Sequence, residues 1–244
     1  MAAGSRLLGN GKRFFLRFSQ WFTAEQVSPF SQKTGFEARQ RGKTIISGTG
    51  RAGTTLLMRI CIRLDLPTGF SNADSEVVES MIGRAGLEQS LTLANAEFLP
   101  ELFKSPFLCD CLDQVIQENW MHIDQIIVPV RNLDDAAASR VHVSQKAKDL
   151  GQDPYSAAGG LWDTTHPLDQ KAIISEKLYK LTESATRNQI PLLMLSFPRF
   201  ALDVDYFAQA LGPFLRARFG VSDAALRQAH SQEVNPYFIT EFTS

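Results

Sequence analysis

The chain has 244 residues, 44% of them hydrophobic and 21% charged, with a formal net charge of −1. That is enough apolar material for one sizeable core, and it excludes a disordered polyelectrolyte. The charge balance excludes a global attraction to nucleic acid, so any anion site must be local. No apolar run approaches the roughly 18 residues that span a bilayer. Three cysteines, Cys61, Cys109 and Cys111, do not make a disulfide framework, and buried reduced thiols in a cytoplasmic setting are the simpler reading.

Residues 1–24 lack acidic side chains and set Arg6, Lys12, Arg13 and Arg17 among Phe14, Phe15, Phe18, Trp21 and Phe22. Three readings stay open: a helix lying on a membrane surface, a transit segment, or a helix packing on the main domain or on a second subunit of a homodimer. A polar connector follows, so the expected division is 1–40 for the N-terminal helix and connector and 41–244 for the main domain.

Residues 43–58 then read Lys-Thr-Ile-Ile-Ser-Gly-Thr-Gly-Arg-Ala-Gly-Thr-Thr-Leu-Leu-Met. They predict a short buried strand, a glycine-rich loop over Gly48 to Gly53, and an apolar helix from Thr54 to Leu64. Backbone N–H groups at such a loop and helix start favour an anion. The spacing from Gly48 to Gly53 to Thr55 is that of a Walker A loop, but Thr54 stands in the lysine position.

Further along, Asp74 or Ser75 predicts a helix cap, and 87–99 reads as another helical stretch. A short strand from Leu102 is stopped by Pro106. Ile123 to Val130 is a strand rich in isoleucine and valine, followed by Arg131 and a helix through Ala136 to Ser139. Residues 168–188 predict a long amphipathic helix, Ile190 to Leu195 a strand, and Tyr206 to Phe219 and Asp223 to His230 helices. Strands alternating with helices give the expected fold class: α/β, a P-loop three-layer fold with a central, mainly parallel sheet flanked by helices. The loop at Gly48, Lys104, Arg131 and the Ser196–Phe197 pair then share one sheet edge, where ligands bind in such folds.

A nucleotide kinase needs a loop lysine and a strand-end carboxylate for Mg²⁺. Here Arg131 and Ser196 occupy the strand ends. On these residues the chain resembles the PAPS-dependent sulfotransferase family. Gly50-Arg51-Ala52-Gly53-Thr54-Thr55-Leu56 resembles that family's Pro-Lys/Arg-Ser-Gly-Thr-Thr-Leu loop, with Gly50 in place of the proline and Ala52 in place of the serine. Arg131 and Ser139, eight residues apart, match its second signature. A further C-terminal Arg-Lys-Gly element used by some members is not found in the sequence.

The resemblance implies that Gly50, Arg51, Ala52, Gly53, Thr54 and Thr55 hold the 5′-phosphosulfate of 3′-phosphoadenosine-5′-phosphosulfate (PAPS), with no metal. It implies that Arg131 and Ser139 grip the 3′-phosphate, and it sets Phe197 on the adenine. Arg51 is then expected to offset charge on the bridging oxygen, and Lys104 to lie near the transferring sulfonate. For the general base, Glu76 is taken first and Asp74 second. Of the histidines, His166 is the one expected within reach of a substrate. The acceptor is a small or amphiphilic molecule rather than nucleic acid. A P-loop kinase and an inactive nucleotide-binding or scaffold protein remain as alternatives.

Overall fold

A computed structural model of the chain describes residues 42–80, 82–240 and 242. Residues 1–41 lie outside the described residues, and with them the basic aromatic segment and its connector.

Four strands form one sheet in the order β2-β1-β3-β4. They are β1 (Lys43–Ile46), β2 (Leu102–Lys104), β3 (Ile123–Val130) and β4 (Leu192–Ser196). Every pairing is parallel: Ile45 opposite Phe103 and Ile126, and Val130 opposite Ser196. Parallel strands need long crossovers, and helices supply them: α1 (Thr54–Arg63), α2 (Asn72–Ser80), α3 (Leu108–Gln117), α4 (Leu133–Asp149) and α5 (Gln170–Arg187). After β4 come α6 (Arg199–Leu202), α7 (Val204–Phe219) and α8 (Asp223–Glu233).

The period-two alternation of each strand divides its side chains between two cores. Ile46, Ile127 and Leu195 join α1, α7 and α8 on one face. Ile45, Ile126, Val128 and Phe103 join α3 and α5 on the other. This division is the one that right-handed crossovers demand. The chain leaves β1 toward β2 with α1 on one face, then crosses back toward β3 with α3 on the opposite one. Ile45, Ile46, Ile126 and Ile127 are fully buried, each contributing roughly 1.5–3 kcal/mol of apolar transfer. The result is an α/β protein with a three-layer arrangement around a parallel sheet. Among the described residues no helix is long and apolar enough to cross a membrane.

One expected helix is not formed. Residues 87–95 have no helix, and only a single 3-10 turn follows at Ala96–Phe98. Leu87 takes a positive φ of 59°, which no helix accommodates. The Asn95 side chain accepts from the Thr92 N–H and donates to the Ser90 carbonyl, so a local turn wins over the helix. Gln89 N–H instead bonds the Lys104 carbonyl, which lays this segment along the end of β2.

The cysteines are free, with Cys61 and Cys109 buried and Cys111 half-buried. Burial pushes the Cys61 and Cys109 thiols up to about 12, far from reactive thiolates. His230 Nε2–H donates to the Phe200 carbonyl, 2.8 Å away, inside the core, which is a packing role.

Candidate functional site

The C-terminal ends of all four strands lie on one edge because the sheet is parallel. The glycine-rich loop leaves β1 there and enters α1 through Gly53, whose φ of 81° is left-handed. Gly53 also has no room for a side chain: an added Cβ would lie 2.7 Å from both the Phe197 and the Phe200 ring. No side chain caps α1, whereas α4 is capped by Asn132, α7 by Asp203 and α8 by Ser222. The first N–H groups of α1 are left as donors beside a loop free of acids. Gly53→Ala is expected to cost about 2–4 kcal/mol, combining left-handed strain with overpacking. A urea unfolding curve checks it.

Cations converge on this loop from three directions. Lys104, at the end of β2, is 2% exposed. Its Nζ donates to Thr55 Oγ1 at 2.8 Å and to the Gly86 carbonyl at 2.6 Å, and it pairs with Glu88 Oε1 at 3.1 Å. A lysine absent from the loop's own sequence is thus delivered to the loop by the neighbouring strand. Arg51 takes a positive φ of 55°, and its Nε donates to Ser139 Oγ at 3.0 Å. Its Nη1 donates to the Gly83 carbonyl. Arg131 Nη1 donates to the Arg51 carbonyl at 3.2 Å.

Arg140, which sequence reasoning missed, lies beneath the loop. It donates to the Thr49 carbonyl from one side and to the Gly160 carbonyl from the other. The Trp162 ring lies 4.8 Å from its guanidinium. Gly50 has no Cβ because one would come within 2.6 Å of Arg140 Nη2. Arg140 was discoverable from its position: it follows Ser139 and lies four residues after Ala136 on the inward face of α4.

Like charges therefore crowd a water-poor site. Burial, then the charges of Arg131 and Arg84, push the Arg51 guanidinium down to about 10. Burial and Arg51 push Arg140 down to about 10 as well. Burial lowers Lys104 from its ordinary value of 10.5, Glu88 partly restores it, and Arg51 lowers it further. An anion among these cations would oppose each shift. The hydroxyls of Ser47 and Ser105, at the ends of β1 and β2, are buried without a hydrogen-bond partner, which adds two donors beneath the same loop.

Of the expected site residues, the structure brings together Gly50, Arg51, Ala52, Gly53, Thr54, Thr55, Lys104, Arg131, Ser139 and Phe197. Ala52 and Thr54 are buried, which leaves Thr55 as the hydroxyl that meets Lys104. Phe197 follows β4 and lies 5.3 Å from the Arg131 guanidinium. The Arg51 guanidinium reaches Ser139 on α4, and the Lys104 ammonium lies beside Thr55.

Two expected acids lie elsewhere. Asp74 Oδ2 accepts from both the N–H and the hydroxyl of Ser71, and Ser71 Oγ in turn lies 3.4 Å from Asp74 N. This is a capping box at the start of α2. Glu76 lines a cleft of about 420 Å³ with Arg59, Arg63 and Glu233. The acid that does meet the loop's cation is Glu88, a third exposed at its side chain. The sequence offered one faint signal for it, an acid two residues after Gly86 in the stretch between α2 and β2. His166 is exposed, its N–H bonded to Thr164 Oγ1. His122 pairs with Asp124 at the opposite end of β3, and His142 packs on Phe242 at 5.7 Å.

The fold and site define an α/β protein with a cation-lined glycine-rich loop at the carboxyl edge of a parallel sheet. No protein-family model, curated protein or solved structure matches the chain.

Proposed function

We propose that the protein is a sulfotransferase that moves a sulfuryl group from PAPS to a hydroxyl acceptor. The observation that carries this reading is Lys104 at 2.8 Å from Thr55 Oγ1, with Arg51, Arg131 and Ser139 clustered across the loop. The two groups of cations suit a donor with two separated anionic ends. The loop N–H groups, Thr55 and Lys104 take the 5′-phosphosulfate. Arg51, Arg131 and Ser139 take the 3′-phosphate, with guanidinium forks matched to phosphate oxygens. The part first expected of Arg51, charge relief at the bridging oxygen, falls to Lys104.

In the reaction the acceptor oxygen attacks sulfur and the bond from sulfur to the bridging oxygen breaks. Adenosine 3′,5′-bisphosphate leaves with the electron pair. Lys104 offsets the charge developing on that oxygen. Glu88, ion-paired to Lys104 and open to solvent, takes the acceptor's proton. A kinase is the second reading, because a lysine beside Thr55 also suits a transferring phosphoryl group. Its strand-end carboxylate has no counterpart at Arg131 or Ser196.

The test is release of adenosine 3′,5′-bisphosphate from PAPS across a panel of hydroxyl and amine acceptors. The reading predicts acceptor-dependent release; release that no acceptor stimulates overturns it. A pH dependence follows as well. Anion binding favours the charged lysine, so affinity attributable to Lys104 is full below its lowered pKa. It is lost as pH rises through that value, which lies under 10.5. Titrations of adenosine 3′,5′-bisphosphate at increasing pH are expected to show this alkaline loss, with a smaller one in Lys104→Met.

A further inference from the structure

Arg140 extends from α4 and is 6% exposed. The groups that hold it are neutral: the Thr49 carbonyl on Nη2, the Gly160 carbonyl on Nη1 at 2.7 Å, and the Trp162 ring. Its Nε is buried without a hydrogen-bond partner. Burying a charge among neutral partners is costly, and an anion in the loop would be its counter-charge. The bond to Thr49 also sets the loop's backbone. The cis peptide among the described residues is Phe197–Pro198, so the Thr49–Gly50 peptide is trans and planar. A carbonyl drawn toward Arg140 therefore turns the Gly50 N–H to the opposite side. Among the described residues no backbone carbonyl accepts from that N–H. The second arm of the guanidinium reaches a different segment. Gly160 N–H donates to the Ala157 carbonyl at 2.9 Å and closes a turn. Gly159, inside that turn, packs on Arg51, since an added Cβ would lie 3.0 Å from Arg51 Nη1. One side chain thus ties the loop to the turn that bounds Arg51.

Resting on the sulfotransferase reading, in which the loop takes the 5′-phosphosulfate, we propose that Arg140 is a positioning residue for that anion. From beneath the loop it holds the Thr49 carbonyl inward, so that the Gly50 N–H faces the phosphate oxygens. Its buried charge offsets theirs through the loop, without touching them. The role calls for arginine in particular. Two carbonyls on separate segments, Thr49 and Gly160, are bridged by one planar fork, whereas a lysine is a point charge on a flexible stem. The Trp162 ring steadies the fork, and the Trp162 backbone is itself held by its N–H bond to Gln170 Oε1 at 2.6 Å. Gly50 completes the pairing, because a side chain there would press on Arg140 Nη2. Preorganised backbone donors of this kind hold an oxyanion without rearranging when it arrives.

The experiment titrates the full chain with inorganic pyrophosphate and, separately, with adenosine 3′,5′-bisphosphate. Affinity is measured by calorimetry, and the Gly50 amide is followed by NMR in isotope-labelled protein. In the wild-type chain each ligand is expected to move the Gly50 amide resonance downfield, as its N–H gains an oxyanion acceptor. Arg140→Met is expected to bind both ligands about tenfold or more weakly, the scale of one hydrogen bond to a charged group. Its Gly50 amide is expected not to make the downfield move even at saturation. Arg140→Lys keeps the charge without the fork and is expected to recover part of the affinity. Wild-type affinity in Arg140→Met overturns the proposal. So does a weakened Arg140→Met whose Gly50 amide still moves as in the wild type, since Arg140 then supports only the fold. If the expected differences appear with pyrophosphate while the bisphosphate binds no chain, the role of Arg140 stands and the sulfotransferase reading falls. Binding of neither ligand to the wild-type chain overturns both. Should Arg140→Met unfold, the other two chains decide: a wild-type Gly50 amide unmoved by ligand, or full affinity in Arg140→Lys, contradicts the proposal.

Discussion

Lys104→Met is expected to lower turnover by about two to three orders of magnitude, the loss typical of one placed transition-state donor. Methionine keeps most of the buried stem, so the fold retains its packing around β2. It leaves the Gly86 carbonyl and Glu88 without the ammonium that now joins them. Stability is therefore expected to fall by about 1–3 kcal/mol, the cost of uncompensated buried polar groups. The two readouts separate the roles. A lysine that only supports the loop would lose stability and activity in proportion. A lysine that meets developing charge loses kcat out of proportion to stability, and a thermal melt beside a kinetic assay tells them apart.

The second large effect is on Glu88. Glu88→Gln removes the proton acceptor while preserving size and a hydrogen bond to Lys104. Turnover is expected to drop by about 10²- to 10⁴-fold. Affinity for adenosine 3′,5′-bisphosphate is expected to hold or tighten, because a negative charge leaves the neighbourhood of a bound anion. The comparison variants are Asp74→Asn and Glu76→Gln. Asp74→Asn weakens a capping box and is expected to cost about 1 kcal/mol of stability with turnover kept. Glu76→Gln faces a cleft lined by Arg59 and Arg63 and is expected to leave turnover unchanged. Equal losses in all three variants would remove Glu88 from the mechanism.

The contrast between these acids shows what the sequence made legible. β1, β3 and β4 stand out as short apolar runs, and their alternation fixes which face each isoleucine serves. The edge at which ligand groups meet follows from parallel strands alone. The site's inner pairings do not. Lys104 and Thr55 are 49 residues apart and meet only because β2 pairs beside β1. A missing lysine in the loop motif therefore reads as a loss until the neighbouring strand is in place. Arg51 illustrates the reverse case. Its place in the loop is plain, but its positive φ of 55° turns the side chain toward Ser139 on α4, and spacing carries no information about that turn. Glu88 was hidden by the mistaken helix over 87–99, where apolar periodicity masked the Asn95 turn and the left-handed Leu87.

The most direct measurement is a calorimetric titration with adenosine 3′,5′-bisphosphate in the presence of a chelator, set beside ATP with Mg²⁺. A site built from the Thr55–Lys104 pair on one side and Arg51, Arg131 and Ser139 on the other predicts one-to-one binding of the bisphosphate without metal. That binding is expected to weaken about tenfold or more, some 1.4 kcal/mol, in Arg131→Ala. Absence of binding by the bisphosphate, with ATP bound only when Mg²⁺ is present, would contradict it.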